Sequence, residues 1–270
     1  MGLLIDTHCH LTSAGLCEQA EAVLARAAAA GVGHCLTVGQ DPADSAAALE
    51  LAARQANVSV VAGVHPHLAA RVAEGWDREL AERCRDPRVR AVGETGLDYH
   101  YDFSDRASQQ RVFRRQLALA ADLGRPVVIH CREAHADVMA ALAEFPNLVG
   151  VVFHCYSGTL DQARELAARG YWISLTGVLT FKKAEELRQV AKWYPADRIM
   201  LETDAPYLSP EPVRNVRPNE PALLVHTAAR LAEVRGLGPA EAAALTTANA
   251  VRFFGLPPGL GSSDHGSNRP

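Results

Sequence analysis

The chain has 270 residues, 48% of them hydrophobic, which is enough apolar surface for a large core and excludes wholesale disorder. Its formal net charge is −4, from 27 Lys and Arg against 31 Asp and Glu, so it lacks the basic balance of a protein that coats long nucleic acid by counterion release. It contains no run of about 18 apolar residues to span a bilayer, and residues 1–10 lack the basic-then-apolar order of a secretory signal, which is therefore not expected.

In chain order, short β-rich runs alternate with helical patterns. Candidate strands are 3–6, 35–38, 58–64, 89–92, 127–129, 149–153, 171–175 and 199–201. Candidate helices between them are 17–30, stopped by Gly31, then 44–55, 77–85, and 104–123, stopped by Gly124 and Pro126. They continue as 134–144, 161–169 with Asp161 as N-cap, and 182–193, and 221–234 and 239–253 follow the last strand. Most strand candidates are apolar on both faces, as expected of parallel strands covered by helices. Eight such units over about 250 residues predict an α/β fold, a single-domain (β/α)8 TIM barrel over residues 1–256, with an open doubly wound sheet as the alternative. Residues 257–270, rich in Gly, Ser and Pro, read as a flexible tail. Six cysteines with no C-x-x-C pair read as reduced thiols of a cytoplasmic protein.

Histidines and carboxylates gather where these strands end. His8 and His10 close the first run, His65 and His67 follow the third, and Glu94 the fourth. His130, His154 and Asp204 end the fifth, sixth and eighth. In a parallel barrel all C-terminal strand ends open on one rim, so these residues should converge. Residues two apart on a strand share a face, so His8 and His10 can chelate one ion while Cys9 points away. Imidazole with carboxylate suits Zn, Mn, Fe or Ni, and carboxylate-rich sites also accept Mg. Cys9, Cys131 and Cys155, each following such a histidine, read as small hydrophobes facing the helices rather than as thiolate ligands.

Six segments carry a family resemblance: Asp6-Thr7-His8-Cys9-His10-Leu11, Gly63-Val64-His65-Pro66-His67, Gly93-Glu94-Thr95-Gly96-Leu97-Asp98, Val128-Ile129-His130-Cys131-Arg132, His154-Cys155-Tyr156-Ser157-Gly158, and Glu202-Thr203-Asp204-Ala205-Pro206-Tyr207-Leu208. In this order, over about residues 5–254, the chain resembles the TatD-type metal-dependent deoxyribonucleases. The resemblance implies two divalent metal ions, with Zn, Mg and Mn as candidates. His8, His10 and Asp204 would hold one, His130 and His154 the other, and Glu94 would bridge them. It further implies hydrolysis of DNA phosphodiesters by a metal-activated water, acting 3′-to-5′ on ends or single strands. Two ions suit that chemistry, because they clamp attacking and leaving oxygens and lower the pKa of water.

Around these residues, Asp204 is the candidate general base, and Glu202, two before it, would orient a ligand histidine. Asp6 stands in the same relation to His8. His65 and His67 would face substrate, Arg132 would fork onto a phosphate, and Tyr156 and Tyr207 would stack bases. Two other readings use the same residues: an amidohydrolase or esterase acting on an amide, ester or aminoacyl ester, and a non-catalytic metal-binding barrel.

Overall fold

The computed structural model describes residues 3–101 and 103–260. Eight parallel strands form one sheet in chain order: β1 (Leu4–Cys9), β2 (Val32–Gly39), β3 (Val58–Ala62), β4 (Val89–Asp98), β5 (Val127–Arg132), β6 (Val151–Phe153), β7 (Trp172–Leu175) and β8 (Ile199–Leu201). The helices are α1 (Ala20–Ala29), α2 (Pro42–Arg54), α3 (Trp76–Cys84), α4 (Arg106–Leu123), α5 (His135–Ala143), α6 (Leu160–Ala168), α7 (Glu185–Trp193), α8 (Leu224–Arg235) and α9 (Pro239–Phe254). This is the (β/α)8 barrel. Strictly sequential order excludes the doubly wound sheet, whose strand order reverses at a switch point.

Side chains and loop backbone close the seam between β8 and β1. Thr7 Oγ1 donates to the Leu201 carbonyl at 3.0 Å. The buried Asp6 carboxylate accepts from Thr203 N at 2.9 Å and Thr203 Oγ1 at 2.5 Å. Just beyond, Asp204 N donates to His8 O and His10 N to Ala205 O. Asp6 thus ties the rim together, and it meets His8 only at that residue's backbone N–H, 3.3 Å away, not at its ring. Burial pushes the Asp6 carboxyl up to about 7.

Two apolar layers result. Leu36, Val38, Val61, Val128, Val152 and Met200 fill the barrel, and Phe253 and Phe254 of α9 pack with them. Their neighbours along the strands pack outward against the helices. In β1 and β4 this alternation breaks on purpose. Ile5 and Ala91 belong to the inner layer, yet His8 and Glu94, three residues on in each strand, also face inward. Each strand carries a register irregularity at that point, between Asp6 and Cys9 in β1 and between Val92 and Thr95 in β4. A bulge shifts the two-residue period by one and re-aims the side chains that follow.

Several element bounds differ from the sequence reading. Residues 17–19 form a 3-10 turn before α1. Asp161 is not the cap of α6: Thr159 Oγ1 accepts from Gln162 N while Gln162 Oε1 accepts from Thr159 N, a capping box that the glutamine at the third helical position makes possible. A 3-10 turn over Gly177–Thr180 precedes α7, which starts at Glu185 rather than 182. Glu94 lies inside β4, not past its end, because that strand continues to Asp98. Of the expected tail, Pro258–Leu260 form a 3-10 turn and residues 261–270 lie outside the described residues.

Candidate metal centre

The inner ends of β1, β4, β5, β6 and the loop after β8 bring all six expected ligands to one place. Glu94 sits at its middle, with its two oxygens facing different neighbours. Oε1 lies 2.6 Å from His154 Nε2, 2.8 Å from His130 Nδ1 and 3.4 Å from His65 Nε2. Oε2 lies 3.3 Å from His8 Nε2 and 3.9 Å from His10 Nε2. Asp204 Oδ1 completes the second side, 3.4 Å from His10 Nε2 and 3.8 Å from His8 Nε2.

Local backbone makes this convergence possible. Gly96 has φ +143°, and a Cβ there would collide with the His130 carbonyl. Glycine at this position lets β4 and β5 approach closely beneath the histidine. On the rim, Glu133, Cys155, Asp204 and Leu208 are non-glycine residues with φ between 45° and 57°, all in loops that follow strands. Such conformations cost energy and persist where the surroundings over-determine them. At Asp204 the backbone N–H bond to His8 O at 2.9 Å supplies that constraint.

The donor chemistry fits a cation. Both ring nitrogens of buried His8 lack hydrogen-bond partners among the described residues. Orphaned buried nitrogens are costly unless something else occupies their lone pairs. Three groups bring ligand atoms within 4.8 Å of one another: His8 with His10 and Asp204, His8 with His154 and Glu202, and His65 with Glu94 and His130. Burial would push the Glu94 carboxyl up, but the charge of His154 and the hydrogen bonds of His130 and His154 outweigh it, and the carboxyl is held well below the usual range.

Supporting groups stand behind the ligands. Glu202 accepts from Cys155 N at 2.6 Å and from Ser174 Oγ at 2.5 Å, and its Oε1 lies 3.3 Å from His154 Nδ1. It stands behind the histidine ring, on the side away from Glu94. Asp98 does the same for His130, with Oδ2 2.9 Å from Nε2, and it also reaches His67 Nε2 at 3.0 Å. Sequence reasoning gave Asp98 no role. The available signal was its spacing, four residues past Glu94 on the same strand and hence on the same face. Gln40, also missed, lies 3.5 Å from His10 Nδ1, which contacts Val38 O at 3.2 Å.

A cavity of about 710 Å³ opens over the centre, with His10, His65, Glu94, His130, Asp204 and Tyr207 among its lining. His65 stands closer to Glu94 than a pure substrate contact would. Its Nδ1 accepts from His67 N at 3.1 Å, which places its proton on Nε2, and burial lowers its pKa to about 4, so it is neutral. His67 and Arg132 line the same mouth. Tyr207 is exposed on the rim, edge-on to His10. Tyr156 is elsewhere: its ring is buried and its hydroxyl donates to Thr159 O at 2.7 Å, so it packs the base of the loop before α6 and offers no free face. Cys9 is buried in the outer layer, and its thiol faces Leu36 O rather than the centre. Cys131 packs against that outer layer and also borders the cavity, as does Cys155, whose Sγ lies 3.6 Å from Thr176 Oγ1.

The profile of the family described as TatD related DNase matches residues 5–255. The chain belongs to that family. Among its relatives, a Citrobacter koseri protein named 3′-5′ ssDNA/RNA exonuclease TatD is 40% identical over 258 residues, covering 94% of this chain and 99% of that one. A Bacillus subtilis protein named uncharacterized metal-dependent hydrolase YabD is 37% identical, covering 93% of this chain and 99% of that one. The solved structure of YjjV, a TatD homologue from Escherichia coli, is similar with a TM-score of 0.89 at 32% identity, covering 94% of this chain and 98% of that one. A guanine deaminase structure from C. acetobutylicum, with TM-score 0.58 and 10% identity, shares the barrel alone with this TatD-family chain. Among the described residues, no helix is long and apolar enough to cross a membrane.

Proposed function

We propose that this chain is a metal-dependent nuclease that hydrolyses phosphodiester bonds of DNA at the ends of single strands, working from the 3′ end, with two divalent ions of the Zn, Mg or Mn kind. One observation carries the reading: Glu94 turns one oxygen to His130 and His154 and the other to His8 and His10. A carboxylate shared in this way is suited to join two cations, with His8, His10 and Asp204 holding one and His130 and His154 the other. The names of the relatives from enteric bacteria support the choice of substrate and polarity.

When bound, such ions supply Lewis acidity toward the phosphate and lower the pKa of water. The chain's own residues supply the rest. Asp204 is partly exposed to the cavity and accepts the proton of the water that attacks phosphorus. Neutral His65 presents its Nε2 proton toward the centre, a donor for a phosphate oxygen. Arg132 on the rim is available to a neighbouring phosphate. Glu202 and Asp98 keep the rings of His154 and His130 in position. The acidic overall balance favours a strand end over a long duplex.

The test is digestion of end-labelled single- and double-stranded DNA, and of RNA, by protein stripped of metal and reloaded with Zn, Mn or Mg. The expected result is one-nucleotide products from 3′ ends of single strands, abolished by chelator and by Glu94→Ala. Chelator-insensitive cleavage overturns the reading, as does faster turnover of amides or esters than of oligonucleotides.

A further inference from the structure

We propose that Tyr101 and Phe103 form a stacking platform for one unpaired nucleobase of the substrate strand, an assignment that rests on the nuclease reading above. Few large apolar side chains are exposed among the described residues, and three aromatic ones among them, Tyr101, Phe103 and Tyr207, cluster around the mouth of the metal centre. Tyr101 and Phe103 are 45% and 59% exposed, too open to contribute much to the core. Their rings are parallel to within 1°, with centroids 5.4 Å apart.

The pair packs on His67 and is linked through it to the centre. His67 stands at 89° to both rings, 5.6 Å from Tyr101 and 4.8 Å from Phe103. The same imidazole meets Asp98, whose other contact is His130. Asp98 Oδ1 also accepts from the backbone N–H groups of His100 and Tyr101 at 3.0 and 3.1 Å. Ser104, next to Phe103, donates through Oγ to His67 O at 2.8 Å and accepts from Ala70 N at 3.0 Å. The backbone before the pair and the side chain after it are thus tied down, which limits the conformational entropy lost when a ligand lands there. The Arg132 guanidinium lies over the Tyr101 ring, 4.6 Å from its centroid, which covers that face, leaves Phe103 as the more open ring for a base, and places a cation where the phosphate of a stacked nucleotide would need one.

The ligand class follows from this chemistry. An exposed, parallel-stacked aromatic pair with a guanidinium over one ring suits a flat heteroaromatic ring joined to an anion, which describes a nucleotide. Every base has a π-face, so the platform tolerates any sequence. Bases inside a duplex have both faces covered, so only an unpaired, splayed base can use it. This gives a physical origin for single-strand preference on an acidic protein without a basic stripe.

The experiment pairs an abasic scan of the oligonucleotide with platform variants of the metal-loaded protein. For wild type, removing the base at one defined distance from the scissile bond should raise KM about ten-fold. In Tyr101→Ala/Phe103→Ala the same abasic site should add nothing further, while Tyr101→Phe should behave as wild type. A 2-aminopurine at that position should be quenched on binding to wild type and stay bright with the double variant, a readout independent of turnover. Abasic penalties and quenching that are equal in both proteins overturn this inference alone. Absence of metal-dependent cleavage by wild type overturns the nuclease reading and this inference with it.

Discussion

Asp98 grips His130 from behind: its Oδ2 lies 2.9 Å from Nε2 of that ring, whose Nδ1 lies 2.8 Å from Glu94 Oε1. The carboxylate thereby fixes the orientation of the imidazole and decides which nitrogen is turned to the centre. Burial opposes its ionisation, but the hydrogen bonds of His130 and His67 outweigh burial, and its pKa lies below the ordinary aspartate value. Removing such a partner commonly costs about 10–100-fold in metal affinity. Asp98→Asn should weaken metal binding by about that factor, with activity restored at saturating metal. Competition with a chromogenic chelator measures the first part and a metal titration of turnover the second. Unchanged affinity would mean that the contact is only structural.

Gly96 and Gly124 both have positive φ, +143° and +59°, but only Gly96 is crowded. A methyl at Gly124, which caps α4, meets nothing within 4 Å. Gly124→Ala should therefore cost about 1 kcal/mol, the penalty of the left-handed conformation alone. Gly96→Ala adds a collision with the His130 backbone, and it should cost about 3 kcal/mol or more and reduce metal affinity as well. Urea unfolding of the two variants side by side separates conformation from collision.

At the opposite end of the barrel, His34 Nε2 lies 2.9 Å from Ser59 Oγ in a buried setting. Burial, reinforced by the charge of Arg90, lowers its pKa from 6.5 to about 4. As pH falls below 6.5, the unfolded chain takes up a proton there that the folded chain refuses until pH nears 4. The unfolded state binds more protons in that window, so the contribution is complete above pH 6.5 and drains away as pH falls through it. The loss between about pH 7 and about pH 4.5 should be about 2 kcal/mol for this group. His34→Gln should flatten that part of the stability profile by a similar amount, read as the difference from wild type in urea midpoints at the two pH values. Identical slopes would place the protonation elsewhere.

Much of this molecule was legible in one dimension. The alternation of apolar runs with Ala-rich helical stretches pointed to eight parallel strand–helix units, because parallel strands covered on both faces must be apolar throughout and need a helix to return, and the strand order of the folded sheet then chose the closed barrel over a doubly wound sheet. The residue types at the strand ends pointed to a mouth suited to a cation, because a parallel barrel puts all those ends on one rim. What only the tertiary structure decided was which way individual side chains turn. Strand periodicity carried through from Ile5 and Ala91 would have sent His8 and Glu94 out of the barrel interior, and the bulges in β1 and β4 reverse that. Asp98 gained its partners, and Tyr156 lost its free face, only through contacts with chain segments distant or folded back in space. Local spacing encodes the face of a strand, but a register shift is set by pairing with the neighbouring strand, and that pairing exists only once the barrel has closed.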